Sequence, residues 1–167
     1  MLDRTGTVVG GIRAIGPLTS ADQTHAVAEW AGHPGLPAVR KMIADRLPFG
    51  VVEMKSAWVT DDADRSRRLT ASLARTGCQV LAVMGVQFCM ATGAQHVLSR
   101  WRSSGGVVAP IRSTPYPDER FRTKLMWWDR RTVVTHAASS QTATIIAEMA
   151  AIRNRLHNAS RHAPVGG

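Results

Sequence analysis

Apolar and polar positions along the chain predict a protein built from both strands and helices. The apolar runs at 7–15 and 51–59 each predict a strand, and the second is expected to be largely buried. A further strand is predicted over 122–129. Its side chains alternate between two faces, as they do in any strand, with Leu125 and Trp127 on one face and Met126 and Trp128 on the other. The pattern indicates an α/β or α+β layered sheet.

Helical signals separate these strands. Ser20 and Gln23 have the spacing of a capping box, which predicts a short helix through Trp30. A second short helix is expected over 38–46 and a third over 65–76, with Gly77 as its C-terminal stop. Ser139 or Ser140 is expected to cap a last helix, which has one apolar stripe made of Ile145, Met149, Ile152 and Leu156.

The segment 78–86 allows two interpretations. It either continues the preceding helix to Thr92, or forms a central strand over 79–84 followed by a helix over 90–103. Two internal glycines would cost a continuous helix about 1 kcal/mol each relative to alanine, so we favour the strand. A short strand is then expected over 107–111. The uncharged run 76–99 is long enough to raise the question of a membrane span, but its glycine, glutamine and histidine residues favour buried core.

Composition predicts one domain over 1–157, followed by a disordered tail over 158–167. The net charge is +9, from 18 Arg and 3 Lys against 12 acidic residues. This charge fits either an arginine-rich soluble surface or an acidic partner: a phosphorylated cofactor, an acidic carrier protein or nucleic acid. Cys78 and Cys89 are interpreted as buried, reduced thiols, and the N-terminus has no signal-peptide pattern, so the expected location is cytoplasmic.

Glu53 is the most informative residue, because it lies inside the apolar run 51–59. A buried carboxylate costs several kcal/mol unless it is paired or hydrogen-bonded. In the functional interpretation it holds an incoming ammonium group and accepts its proton. In the structural one it forms an ion pair with Arg13 or Lys55. The basic cluster that follows, at the start of a predicted helix, fits either an anion site or a solvated surface; it consists of Arg65, Arg67 and Arg68.

Four short motifs resemble the GNAT-like acyltransferase superfamily, and within it the acyl-homoserine-lactone (autoinducer) synthases and N-acyl amino acid synthases. The resemblance covers roughly residues 1–130. The motifs are Asp3-x-x-Gly6-x-Val8-Val9-Gly10-x-x-Arg13; Val51-Val52-Glu53-Met54 followed by Trp58-Val59; the segment 69–77 followed by 79–84; and Val97-Leu98-x-Arg100-Trp101-x-x-x-Gly105-Gly106.

This resemblance implies a mixed central sheet with flanking helices that starts at about the family's third strand, so that the domain is N-terminally shortened. Two departures from the family pattern stand out. The synthases' Glu-x-Ser-Arg-Phe is replaced by the segment 53–57, in which Ser56 occupies the arginine position. The acetyltransferase loop that binds pyrophosphate is absent between Thr60 and Arg68.

The resemblance also implies a function, the transfer of an acyl group from acyl-CoA or acyl carrier protein to a small amine, with no permanently bound cofactor. An amino acid or S-adenosylmethionine is the expected acceptor, which would link the protein to autoinducer synthesis and quorum sensing. Glu53 is the expected catalytic residue. The expected acceptor-binding residues are Arg13, Lys55, Ser56 and Trp58; the expected donor-binding residues are Arg65, Arg67, Arg68 and Met84; and a candidate acyl slot is lined by Met54, Trp58, Met84, Phe88 and Leu98.

Other functions remain open from the sequence. A catalytically inactive GNAT-like remnant or binding module would use the same fold. A nucleic-acid-binding surface could combine the basic residues at 120–124 with Trp127 and Trp128, although packed tryptophans are the favoured interpretation. A nucleophilic Cys89 lacks a nearby base, and His96 and His136 lack partners at metal-ligand spacing.

Overall fold

The computed structural model describes residues 1–60 and 63–162, and the side chains of residues 1–60 and 69–161. The described chain contains five strands and six α-helices. The strands are β1 (Gly10–Ile15), β2 (Val51–Val59), β3 (Phe88–Ala94), β4 (Val107–Val108) and β5 (Thr123–Asp129). The helices are α1 (His25–Glu29), α2 (Leu36–Ala44), α3 (Ala63–Met84), α4 (Leu98–Arg102), α5 (Val133–His136) and α6 (Ser139–His162).

The strands form one mixed sheet in the order β1-β2-β3-β5-β4. Only the central pair, β2 and β3, is parallel, and the other neighbours are antiparallel. A parallel pair needs a long crossover, which α3 provides. The expected α+β sheet with flanking helices is therefore confirmed.

Helices cover both faces of this sheet. One face packs against α1 and α2 through residues that include Val51, Met90, Leu125 and Trp127. The other packs against α3 and α6 and contributes Val52, Cys89, Met126 and Trp128. The alternation predicted over 122–129 is thus correct, and the two tryptophans are core residues rather than a stacking surface.

Helix α3 is longer than the sequence predicts. The strand expected over 79–84 is wrong, because the helix passes through Gly77 and ends only at Met84. A Cβ at Gly77 would lie 3.1 Å from the Met54 methyl and 3.2 Å from the Trp128 ring. This glycine allows the helix to pack closely on the sheet, and that packing outweighs its unfavourable helix propensity.

The segment after α3 also differs from the prediction. The expected helix over 90–103 is wrong, since β3 occupies Phe88–Ala94 and, within the predicted range, only the five residues of α4 are α-helical. Pairing with β2 on one side and β5 on the other stabilises this strand. Tertiary pairing here overrides a local preference, as it commonly does for strands.

The ends of several elements shift as well. The strand expected over 107–111 is only two residues long, and α6 continues through His162, beyond the point where a tail was predicted. Residues 163–167, the rest of the expected tail, lie outside the described residues. Among the helices that are described, none combines the length and hydrophobicity needed to cross a bilayer.

Candidate active site

The sheet divides at its centre. Strands β2 and β3 pair from Val51↔Phe88 to Met54↔Ala91, and their ladder ends there. Beyond that point β2 continues to pair with β1, and β3 continues to pair with β5. The two parallel strands therefore separate, leaving a gap in the middle of the sheet that side chains or a ligand can occupy.

A β-bulge lies at the edge of this gap. Between Gly11↔Trp58 and Arg13↔Lys55 the register advances two residues on β1 and three on β2. Ser56 lies in the bulge with φ of +57°, and it is the only non-glycine residue with a positive φ in the described chain. A bulge leaves one residue without a regular ladder partner, and here it lies on the strand that borders the gap.

A cleft of about 180 Å³ opens on the α3 side of the gap. Its walls come from the end of β2, the first half of α3 and the segment that contains α4. They consist of Ala57, Trp58, Val59, Thr70, Leu73, Ala74, Val97, Arg100 and Trp101. The cleft is smaller than the roughly 300–1,000 Å³ of pockets for drug-sized ligands, so it suits a narrow chain rather than a whole nucleotide.

A second cavity, of about 60 Å³, lies in the gap itself. Ala57 and Trp101 line both this gap cavity and the cleft, so the two spaces adjoin. Lys55, Ser56 and Thr92 supply its polar wall. The gap cavity thus joins the apolar cleft to a group of polar side chains.

Glu53 is fully buried next to this region and is satisfied by the backbone. Its Oε2 accepts a hydrogen bond from the His25 N–H at 2.8 Å, and its Oε1 accepts one from the Ala26 N–H at 3.0 Å. Burial raises the pKa of the Glu53 carboxyl above its usual range, while the two backbone donors and the nearby Lys55 charge oppose that rise. The carboxylate therefore anchors the first turn of α1 to β2.

Lys55 forms a different pair from the one considered from the sequence. Its ammonium contacts the Glu29 carboxylate and donates a 2.8 Å hydrogen bond to the Thr92 hydroxyl. The Glu29 side chain is 2% exposed, and its Oε2 is buried without a hydrogen-bond partner among the described residues. A buried unpaired oxygen is unfavourable by roughly 1–3 kcal/mol, so this cluster holds an unused acceptor.

Of the remaining predicted acceptor residues, Ser56 lines the gap cavity, Trp58 lines the cleft, and Arg13 lines neither. The Arg13 guanidinium is exposed on β1, with its Nη2 3.4 Å from His25 Nε2. Trp58 is 49% exposed rather than buried, because the bulge turns it towards solvent at the cleft wall. Its indole covers Gly11, where a Cβ would lie 2.7 Å from the Trp58 Nε1.

The predicted donor residues have a different outcome. The side chains of Arg65, Arg67 and Arg68 lie outside the described residues, although their backbone belongs to the start of α3. Met84 does not line the cleft. It ends α3, ten residues beyond the last cleft residue of that helix, and this separation is about 15 Å of helix.

The acyl slot expected from the sequence is therefore only partly assembled. Trp58 lines the cleft and Met54 lines the gap cavity. Phe88 instead contacts Arg46 and Trp127 at the other end of β3. Leu98 is a buried core residue.

Comparison with solved structures identifies this arrangement. FeeM, an N-acyl amino acid synthase from uncultured soil microbes, superposes with a TM-score of 0.56 at 10% identity, over 82% of this chain and 69% of that one. The chain has a GNAT-like fold. BjaI, a CoA-dependent acyl-homoserine lactone synthase, superposes on the same GNAT-like sheet with a TM-score of 0.52 at 17% identity, over 88% of this chain and 61% of BjaI.

Sequence relatives do not add an activity to the GNAT-like fold. Uncharacterized proteins of Mycobacterium tuberculosis and Mycobacterium bovis are 59% identical over 148 residues, which cover 88% of this chain. The chain spans about half of their length, 56%. No protein-family model matches the sequence.

Three residues of the candidate site were not predicted from the sequence. Glu29 lies in the apolar stretch 26–30, and the same reasoning that selected Glu53 could have selected it. Thr92 and Trp101 lie in the segment where a helix was expected, so no pattern in the sequence placed them beside β2.

Proposed function

We propose that the protein is an N-acyltransferase that moves an acyl group from a thioester donor to a small amine. The observation that carries the proposal is the gap between β2 and β3, which joins an apolar cleft on one side to a polar cluster on the other. In acyl transfer a thioester and an amine must meet from different directions at one carbonyl carbon. The cleft and the adjoining gap cavity would supply that geometry.

The cleft is the proposed donor site. Its narrow apolar walls suit the pantetheine arm of acyl-CoA or of an acyl carrier protein, and Arg100 supplies a cation at its wall. The start of α3 follows β2 directly and carries Arg65, Arg67 and Arg68, which would meet the donor's phosphates. Trp58 and Trp101 form the apolar sides of the thioester position.

The reacting carbonyl would lie beside the bulge at Ser56. Attack by the amine forms a C–N bond and breaks the C–S bond, and negative charge develops on the carbonyl oxygen. Backbone N–H groups that lack a ladder partner are effective donors to such an oxyanion because they are already oriented. The bulge is the part of β2 where these groups are available.

On the acceptor side, Arg13, Lys55 and Ser56 are the proposed binding residues. Glu53 was expected to accept the proton of the amine, but both of its oxygens already accept backbone N–H groups. We therefore assign it a positioning role, in which it fixes α1 against β2. FeeM is an N-acyl amino acid synthase and BjaI an acyl-homoserine lactone synthase, so an N-acyl amino acid or an acyl-homoserine lactone is the finer form of this proposal.

Steady-state assays of thiol release test the proposal. Purified protein would be incubated with acyl-CoA donors of different chain length and with amino acids or S-adenosylmethionine. Release of CoA that depends on both substrates supports transfer. Release that is absent with every donor and acceptor, from a protein shown to be folded, contradicts it.

A second candidate is a non-catalytic module that binds acyl-CoA. The full engagement of Glu53 by backbone amides favours this alternative, because it removes the carboxylate of β2 as a free base. Calorimetry distinguishes the two candidates. Donor binding without any turnover identifies the binding module, and turnover identifies the enzyme.

A further inference from the structure

A further cavity lies away from the proposed site of acyl transfer. Its volume is about 360 Å³, twice that of the cleft, and this is within the usual range of pockets for small molecules. Its walls come from the end of α1, the turn that leads into α2, and the loop that joins β4 to β5. This loop pocket shares no described lining residue with the cleft or the gap cavity. It is therefore a separate site.

Hydrogen bonds within the protein hold the walls of the loop pocket together. The Trp30 indole N–H donates to the Arg112 carbonyl at 3.2 Å, and the Thr114 hydroxyl donates to the Glu29 carbonyl at 3.2 Å. Thr114 and Thr123 close the base of the loop with two backbone hydrogen bonds, of 3.1 and 2.9 Å. Because the protein itself orders this loop, a ligand would not have to supply that ordering.

Two arginines give the loop pocket its positive charge. Arg112 and Arg122 are both exposed, and they lie near the two ends of the loop. Neither guanidinium has an ion pair or a hydrogen bond with a residue that the structure describes, whereas Arg75 and Arg120 each bind a carboxylate. Two guanidinium groups in one concave wall repel each other, and a bound carboxylate would relieve that repulsion.

Glu119 adds a negative group to the same wall. It is exposed, and its carboxylate also has no ion-pair partner within the described part of the chain. Groups of opposite charge thus line one cavity without pairing across it. A ligand that complements both must carry an anion for the arginines and a cation for Glu119. Pro34 and Pro115 supply rigid apolar surface for the rest of such a molecule.

We propose that the loop pocket binds a free amino acid, with its α-carboxylate on Arg112 and Arg122 and its α-ammonium on Glu119. A guanidinium suits a carboxylate because two parallel N–H groups donate to its two oxygens. His33 and Ser113 are polar groups available to the side chain of the amino acid. The site does not rest on the proposed acyl transfer, because the acceptor would react in the gap cavity, which has other walls.

A thermal-shift screen with the standard amino acids identifies the best ligand, since a ligand that binds only the folded state raises the melting temperature. Isothermal titration calorimetry then measures its dissociation constant. We expect at least one amino acid to bind with a Kd below about 1 mM. If no amino acid at about 10 mM raises the melting temperature or gives a heat of binding, the proposal is overturned.

Three variants locate the bound amino acid. Arg112→Gln and Arg122→Gln each remove one guanidinium at an exposed position, which leaves the core intact. Each should raise the Kd about tenfold or more, because a charge-assisted hydrogen bond to the carboxylate is lost. Arg153→Gln is the control, at an exposed position on α6 outside the loop pocket, and should change the Kd by less than about twofold. A Kd that is unchanged in both pocket variants overturns the proposal.

Two kinds of competing ligand test the assignment of each charge. The N-acetyl derivative of the best amino acid keeps the carboxylate but lacks the ammonium, and inorganic phosphate is an anion without a cation. Glu119→Gln should weaken the amino acid about 3–10-fold and leave the Kd of the N-acetyl derivative unchanged. Tighter binding of the N-acetyl derivative or of phosphate than of the amino acid would overturn the proposal, because the pocket would then select anions alone.

Discussion

The Lys55 ammonium donates a 2.8 Å hydrogen bond to the Thr92 hydroxyl, one residue beyond the last backbone pair of β2 and β3. The side chains therefore continue the connection between the two strands after the ladder has ended. This contact holds the cation at the wall of the gap cavity. The acceptor side of the proposed site depends on it.

Thr92→Val should reduce activity more than stability. Valine keeps the shape of threonine but removes the hydroxyl, so we expect about 1 kcal/mol lower free energy of unfolding and a roughly tenfold lower kcat, because Lys55 is no longer fixed. Thr123→Val is the matched control, since it removes a buried hydroxyl on β5 that donates a hydrogen bond to the Tyr116 carbonyl. Urea unfolding and CoA release measure the two effects, and equal activity losses in both variants would contradict the role of Thr92.

Glu53→Gln should change how stability depends on pH. The pKa of Glu53 is raised by burial, so the folded protein binds this proton more tightly than the unfolded chain. Its stabilising contribution is therefore complete below the unfolded pKa and is lost as pH rises through the folded pKa. We expect the free-energy difference between wild type and Glu53→Gln to shift in favour of the wild type as pH falls from 7.5 to 4.5.

Urea unfolding at several pH values measures this difference. Glutamine accepts only one of the two backbone N–H groups and turns an amide donor towards the other, so the variant should be less stable at every pH. A difference that is constant with pH, or that grows as pH rises, would show that the carboxyl is not perturbed by its burial.

Arg100→Gln should weaken the binding of donors that carry phosphate. Arg100 and Arg102 are both exposed on the same short helix, but only Arg100 lines the cleft. We expect Arg100→Gln to raise the KM for acyl-CoA about 3–10-fold, as for loss of one partly solvated ion pair. Arg102→Gln is the control and should have no effect.

A truncated donor tests the assignment to phosphate. S-acyl-N-acetylcysteamine has the thioester but no phosphate, so its KM should be the same in wild type and Arg100→Gln. High salt should remove the difference in KM for acyl-CoA between the wild type and Arg100→Gln. An equal rise in KM with both donors would contradict this assignment and would mean that Arg100 contacts the thioester part of the donor or supports the fold.

The two cysteines should be unreactive in the folded protein. Burial raises the pKa of Cys78 to about 12, and burial also raises that of Cys89. At pH 8 about one Cys78 in ten thousand is then thiolate. We expect no labelling by a disulfide reagent within minutes, and two thiols per chain after denaturation. Rapid labelling of either thiol in the native protein would contradict the burial of that cysteine, and would also interfere with assays of CoA release.

The sequence predicted those parts of the fold that depend on local pattern. The alternation at 122–129 identified β5 and both of its faces, because each face packs against a different helical layer. Helix α3 was cut short because Gly77 was taken as a stop. A glycine stands at this position because the helix approaches Met54 and Trp128 closely, and both residues are far away in the sequence.

In the candidate site, too, the sequence pattern identified a residue with a local signal but not its distant partners. Glu53 was identified correctly as an unusual buried residue, but its partners are backbone amides of a helix 27 and 28 residues earlier. Glu29 meets Lys55 across 26 residues and Thr92 meets it across 37. The contacts of Glu53 and Glu29 depend on the packing of α1 against β2. The contact between Lys55 and Thr92 depends on the parallel crossover, which the prediction of a strand over 79–84 concealed.

The measurement that tests the central claim most directly is the yield of N-acyl product per CoA released, in wild type and in Ala57→Trp. Ala57 is exposed and lines both the cleft and the gap cavity, so a tryptophan there fills the path between donor and acceptor. Ala14→Trp, at an exposed position on β1, is the control. We predict one N-acyl product per CoA in the wild type and the control, and at least a 100-fold lower rate in folded Ala57→Trp. Transfer at the wild-type rate in Ala57→Trp, or no product in the wild type, would contradict acyl transfer through the gap between β2 and β3.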